Sequence, residues 1–291
     1  MNRFIIGKYV IPIMFIIGIL IFFYPLIGNW LSTKDQYTVI SRHNEVLAKM
    51  SEEKKNEERS KAKEYNDSLI GSEVPILDPF TDMTNDNSLL NDENSGYYNV
   101  LDIGETMGSI EIPSIDVNLP IYHGVGEEVL SQGIGHMSNS SFPVGGLGTH
   151  TALTGHRGLP SSKLFRDLDK VEKDELFYIH TLDETLAYKI EDIQVVLPSE
   201  TNWLEMKEDK DYVTLITCEP YMINTHRLLV RGERVPYDAT VQKATKAKPK
   251  DLAQIIEFWL FVAGITILII LSILFLYRKW KKRQEVKGWD L

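Results

Sequence analysis

The sequence is short of several things, and each shortage excludes something. One cysteine, Cys218, occurs in 291 residues, so no disulfide closes within the chain and no zinc or iron-sulfur site made of several thiolates is available. Between Lys63 and Arg157 there is no Lys or Arg, while 14 Asp and Glu fall in that stretch. With a net charge of -10, this excludes a nucleic-acid binder, which needs a basic surface to neutralise phosphates. The acidic stretch reads as a solvated face. Only 12 prolines and no internal repeat occur, and 43% of the residues are apolar, so the chain is neither disordered nor low-complexity and buries a sizeable core.

Two long apolar runs stand at the ends. Tyr9 to Ile27 spells YVIPIMFIIGILIFFYPLI. At about 1.5 Å per residue its 19 positions match a hydrocarbon core of roughly 30 Å. No small-x-small cleavage site follows before Trp30 and Leu31, so the run is read as a retained membrane helix, with Pro12 and Pro25 near its ends. Phe258 to Tyr277 is a second uncharged run, followed by Arg278, Lys279, Lys281, Lys282 and Arg283. Arg3 and Lys8 before the first run and this basic cluster after the second predict a two-pass membrane protein with both termini cytoplasmic and the middle outside.

The expected organisation is a cytoplasmic N-terminus and first span over 1–30 and a helix over 31–67 with Ser32 as its N-cap. A loop over 68–103 follows, then a β-barrel over 104–237, a charged tether over 238–254, the second span over 255–277 and a basic tail over 278–291. The barrel is read from short alternating runs (GSIEI, DVNLPIYHG, THTALTG, ELFYIHT, LAYKIEDIQVV, DYVTLITC, HRLLVRGERV), with SSKLFRDLDK as the clearest helical piece among them.

Cys218 ends the apolar run YVTLIT and precedes Glu219-Pro220, which puts it at a strand end beside a turn. There a thiol is either core filler or presented to a cleft. Thiolate chemistry needs a base or a positive neighbour. Of seven histidines, His156 stands out: it follows TALTG and opens the turn RGLP, a second strand end facing a loop. Arg227 lies nine positions after Cys218 on HRLLVRGERV, where period 2 puts it on one face with Leu229 and Arg231. It is either an oxyanion-holding guanidinium or an ordinary strand arginine.

TLITC (Thr214 to Cys218), PYMINTHRLLVRGERVP (Pro220 to Pro236) and LTGHRGLPSSKLFRDLDK (Leu153 to Lys170) together resemble a sortase, and specifically the class C, pilus-assembling sortases of Gram-positive bacteria. The similarity runs from about Gly108 to Pro236 and more loosely over the preceding helix, where AKEYNDSL is similar to the family's N-terminal helix. The resemblance implies a mainly β, eight-stranded sortase-type barrel and a cysteine transpeptidase. By the same resemblance Cys218 attacks a Thr-Gly type bond in an LPxTG-like sorting signal. His156 protonates the leaving amine and then activates the incoming one, Arg227 holds the oxyanion or the substrate backbone, and Thr217 shapes the site. Asp78-Pro79-Phe80 resembles the family's lid, with Asp78 on Arg227 and Phe80 near Cys218. No cofactor and no metal is required.

The implied partners are pilin or surface proteins carrying the signal, the lysine of a pilin acceptor, and the membrane. Two other outcomes for the thioester stay open: transfer to a cell-wall peptidoglycan precursor, or hydrolysis. Two departures from the family pattern stand out. Glu219 follows the cysteine where many relatives carry a small hydroxyl residue, and a carboxylate there raises a thiol's pKa unless it points away. GGLG (Gly145 to Gly148) is more apolar than the pattern.

Overall fold

The computed structural model describes residues 2–71, 78–80, 96–200 and 202–246, together with Val262, Gly264 and Arg278. Residues 1–246 form one compact unit and 247–291 a second, in which the three described residues are helical.

Helix α1 (Asn2–Lys49) is a single 48-residue element. The expected cap at Ser32 is therefore corrected: the helix runs on through Gly28 and Asn29, and Ser32 sits in its interior, donating to Ser162 Oγ at 2.9 Å. Pro25 likewise lies inside the helix rather than near an end. The break comes at Met50-Ser51. Ser51 has extended dihedrals, its hydroxyl accepts from Lys54 N, and Glu52 and Glu53 follow in the first turn of α2 (Glu52–Leu69), where acidic side chains suit the positive end of the helix dipole.

Helix α2 is polar along most of its length and holds on by a few buried contacts. Glu58 accepts from Leu101 N at 2.9 Å, and Asn66 exchanges two hydrogen bonds with the backbone of Phe142. These anchor the segment that leaves the 68–103 loop to the barrel wall. The second apolar run and the basic tail lie outside the described residues except for Val262, Gly264 and Arg278, as do the side chains of residues 9–13, 15 and 16 in the first. Among the described residues no helix is long and apolar enough to cross a membrane.

Eight strands close a barrel: β1 (Gly108–Ile112), β2 (Val117–His123), β3 (Ile134–His136), β4 (Thr149–Thr154), β5 (Leu176–Thr181), β6 (Glu184–Val196), β7 (Asp211–Glu219) and β8 (His226–Val235). Their order around it is β1-β2-β3-β4-β7-β8-β6-β5, and β5 pairs back with β1. Alternation decides the two faces. Ile110 and Ile112, Phe177 and Ile179, Val213 and Leu215, Leu228 and Val230 point into one core. The opposite face of β4, β7 and β8 carries Ala152, Ile216 and Leu229 in a second apolar cluster with Val125, Met137 and Leu204. Each such buried aliphatic side chain contributes about 1.5–3 kcal/mol.

Three features depart from the expectation. SSKLFRDLDK forms turns and a 3-10 turn at Leu168–Lys170, because Arg166 donates to the carbonyls of Leu159 and Ser162 and folds the segment on itself. A short helix, α3 (Glu127–Gln132), and the three-residue strand β3 lie where the alternating pattern shows neither. The tether 238–254 is helical in part: α4 (Ala239–Lys246) docks through Gln242, which takes Tyr237 Oη–H at 2.7 Å and donates to Glu111 at 2.9 Å.

Candidate active site

Strands β4 and β7 run parallel, so their C-terminal ends arrive side by side at one end of the barrel. His156 follows β4 by two residues, and Cys218 is the penultimate residue of β7. Gly155 makes that approach possible: a Cβ there would stand 2.6 Å from Ile134 Cδ1 and 3.0 Å from the Phe165 ring. Thr217, fully buried, donates its hydroxyl to Gly155 O at 2.7 Å, and Gly155 N donates to Ile216 O. The cysteine strand is thus bonded to the residue preceding His156.

On the other side β7 pairs antiparallel with β8, and the register places Arg227 directly opposite Cys218. Period 2 keeps Cys218 in phase with Thr214 and Ile216, on the outer face of the barrel, where Arg227, Leu229 and Arg231 also point. The three sequence-predicted residues therefore meet at one barrel end.

Asp78, Pro79 and Phe80 lie over them. Asp78 receives both arms of the Arg227 fork, Nε to Oδ1 at 2.6 Å and Nη2 to Oδ2 at 2.5 Å, in the two-pronged geometry that makes such pairs strong. The Phe80 ring stands 5.6 Å from the His156 ring and 5.2 Å from the Arg227 guanidinium carbon. Pro79 is buried. Under this cover Cys218 is only 5% exposed. Burial pushes its thiol up to about 11; Arg227 pulls it down, and Asp78 pushes it back up. The site as it stands holds a neutral thiol.

His156 makes no hydrogen bond to Cys218 among the described residues. Its Nε2 lies 3.2 Å from Glu127 Oε2, and because a carboxylate only accepts, this contact keeps the ring proton on Nε2.

Glu219 does not face the thiol. Its carboxylate forms an ion pair with Arg157, whose other arm reaches Asp169 at 2.7 Å and whose Nε donates to Arg166 O. The residues immediately after His156 and after Cys218 are therefore joined to each other. GGLG lies at the opposite barrel end, where β4 and β7 begin: Gly145, Gly146 and Gly148 all have positive φ, and Gly146 N donates to Asp211 at 2.9 Å. Neither departure touches the reacting groups.

Sequence reasoning misses Glu127, which has no local signature. It also misses Arg157 and Glu219 as a pair, although each adjoins a residue already singled out. Nor does any motif announce a cleft of about 360 Å³ on the same outer face of β7 and β8, lined by Val196, Glu200, Trp203, Thr214, Leu229 and Arg231.

Comparison with known proteins identifies the fold and family. Residues 110–235 match the Sortase domain family. Sortase C of Streptococcus pneumoniae is 42% identical, with a TM-score of 0.62 over 69% of this chain and 98% of that one. Sortase C-1 from Actinomyces oris is 44% identical, with a TM-score of 0.59 over 64% of this chain and 99% of that one. Sortase A of Listeria monocytogenes is 26% identical over 227 residues, 78% of this chain and 90% of that protein. A closed eight-stranded barrel presenting Cys, His and Arg at one end, with the family match over residues 110–235 and these structural similarities over about two thirds of the chain, places the chain in the sortase family as a class C sortase, a cysteine transpeptidase enzyme.

Proposed function

We propose that this protein is a membrane-held pilin polymerase that joins subunits through isopeptide bonds. The observation that carries the proposal is the lid: Asp78 and Phe80 together close the Cys218, His156 and Arg227 set. A covered nucleophile suits an enzyme whose thioester must wait for a lysine amine and must not meet water. Pilin substrate specificity is a property of the S. pneumoniae relative, which supports the same direction.

In this reading the sorting signal displaces the lid and lies along the outer-face cleft toward Trp203. Arg227, released from Asp78, holds the substrate carbonyl oxygen as Cys218 passes its thiol proton to His156 and its sulfur adds to the carbonyl carbon. The C–N bond then breaks, the departing amine takes a proton from His156, and a thioester remains on Cys218. A lysine amine of the next subunit gives a proton to His156 and attacks the thioester. The C–S bond breaks and the thiolate is restored. The two apolar end runs serve as membrane spans, with both termini cytoplasmic and the barrel outside.

The test is incubation of the full-length protein with a pilin subunit bearing an LPxTG-like signal and a second subunit bearing the acceptor lysine. An isopeptide-linked product that disappears in Cys218→Ala supports the proposal. Release of the cleaved subunit to water alone, or transfer only to a peptidoglycan-type amine, would overturn it.

A further inference from the structure

The site end of the barrel is the end nearest the first apolar run. Along α1 the contacts descend in order. A Cβ at Gly28 would lie 3.1 Å from Ser161 Cβ, Ser32 bonds Ser162, and Gln36 Nε2 donates to Gln132 O at 3.1 Å. Farther on, Arg42 pairs with Glu105 at 2.5 Å. Ser161 and Ser162 belong to the loop opened by His156, whereas Glu105 precedes β1, which starts at the opposite end because it runs in the same direction as β4 and β7. From Gly28 to Arg42 the helix advances about 21 Å at its usual rise, on the order of the length of a barrel strand. The apolar run Tyr9 to Ile27 therefore ends just where α1 meets the His156 loop, and it projects beyond the active-site end. At that level the exposed Trp30 has Lys34 over its ring, a pairing suited to a membrane interface.

At the same end the β7–β8 turn, Pro220 to Thr225, carries no charge and exposes three large apolar side chains in a row. Tyr221, Met222 and Ile223 are 43%, 64% and 65% exposed. The turn is held in shape: Ile223 N and Asn224 N both donate to Pro220 O, and Met222 and Asn224 have left-handed backbones, a conformation most side chains avoid. It adjoins the His156 loop, since a Cβ on Gly158 would lie 3.9 Å from Met222 Sδ. It is also braced to the site, because Arg227 Nη1 donates to Asn224 O.

We propose that the Tyr221-Met222-Ile223 turn rests in the interface of the lipid bilayer, so that the mouth of the active site opens at the membrane surface. The proposal rests on the membrane anchoring stated above. The occupant is lipid because the turn lies at the barrel end from which an apolar helix emerges. An uncharged, rigidly presented apolar triplet is the chemistry that partitions into the headgroup boundary.

The test uses the full-length chain in vesicles of phosphatidylglycerol and phosphatidylethanolamine. In a Cys218→Ala background the chain has no other thiol, so Ile223→Cys, Leu147→Cys and Ile17→Cys each accept one environment-sensitive fluorophore. Leu147, 74% exposed, marks the opposite barrel end, and Ile17 marks the apolar run. Spin-labelled lipids should quench positions 17 and 223, and position 223 at least threefold more than position 147. Met222→Cys should repeat the result at 223. Equal quenching at 223 and 147 overturns the proposal. So does a 223 signal that responds to a soluble sorting peptide and not to lipid, which would assign the turn to the substrate polypeptide. Absence of quenching at 17 overturns the anchoring and this proposal with it. None of these readouts depends on transpeptidation, so failure of the enzymatic reading is seen separately in the polymerisation assay.

Discussion

Arg227 faces Cys218 across the β7–β8 ladder, yet its guanidinium is committed to both carboxylate oxygens of Asp78. The group best placed to stabilise charge beside the thiol is thus occupied by a residue from a segment 149 positions earlier. Asp78 neutralises the arginine and the Phe80 ring lies against the histidine, so one short segment contacts two of the three groups.

Opening the lid should therefore raise thiol reactivity. Asp78→Ala frees Arg227 and removes the negative charge that pushes Cys218 up, and Phe80→Ala admits water. Each unit by which the thiol pKa falls gives about a tenfold larger thiolate fraction at neutral pH. Alkylation of Cys218 by a small reagent should accelerate about tenfold or more in Asp78→Ala. An unchanged rate would show that the lid does not gate the thiol.

The pH profile of the wild type follows from the same cause. With the Cys218 thiol pushed up to about 11, the alkylation rate should climb steadily with pH past 9, while Asp78→Ala levels off earlier. Because the folded state holds this proton more tightly than a free thiol, that group's contribution to stability is present at neutral pH and is lost as pH rises from about 9 toward 11. Stopped-flow alkylation across pH 6 to 11 checks the profile.

Acid should unfold the barrel through two other groups. Burial pushes His136 down to about 3 and His150 down to about 4, against ring N–H bonds donated to the carbonyls of Ser141 and Glu205, which pull upward. Their folded values lie below the ordinary 6.5, so the stability they contribute is present above that pH and is lost as pH falls toward 4. The combined loss is on the order of several kcal/mol. Urea midpoints at pH 7, 5.5 and 4.5 should fall in that order. A flat series would contradict neutral, buried imidazoles.

The ion pair between Arg157 and Glu219 should hold the His156 loop to the end of β7. Arg157 is buried, so Arg157→Ala removes its packing and its bond to Arg166 O as well as the partner of Glu219 and Asp169, and should cost about 1–3 kcal/mol. Glu219→Gln, on the better exposed side, should cost less. Urea unfolding measures both, and equal effects would contradict the asymmetry.

Thr217→Val should act through Gly155. The valine keeps the volume but leaves the Gly155 carbonyl unpaired, at a cost of about 1–3 kcal/mol, while Thr217→Ser retains the bond and should restore most of the stability. Thermal unfolding of both variants decides.

The sequence displays the site more readily than its support. Cys218, His156 and Arg227 sit at strand ends or in a period-2 run, and local pattern reaches that far. What brings them together is long-range: the parallel pairing of β4 with β7 and the register that sets Cys218 against Arg227. Of the 68–103 loop, Asp78-Pro79-Phe80 is visible only through its resemblance to a lid, because a tripeptide does not state which strand it will cover. Ser32 misleads because a capping side chain acts only where the backbone leaves the helix, and here it leaves at Ser51. The tether hides α4 because its short run of Ala, Thr and Lys gains helix by docking Gln242 on Glu111, a contact 131 positions apart in sequence. Glu219 shows the reverse: its position beside the cysteine suggests interference, and its partner Arg157 turns it away.

The central claim is a lid-gated cysteine transpeptidase, and intact-mass spectrometry of the full-length protein tests it most directly. Wild type, Asp78→Ala and Cys218→Ala are each incubated with an LPxTG-like peptide, then with a lysine-bearing pilin subunit. The expected result is an acyl adduct on Cys218 that forms faster in Asp78→Ala and is discharged onto the lysine as an isopeptide. An adduct or product that persists in Cys218→Ala, or no adduct in Asp78→Ala, would contradict it.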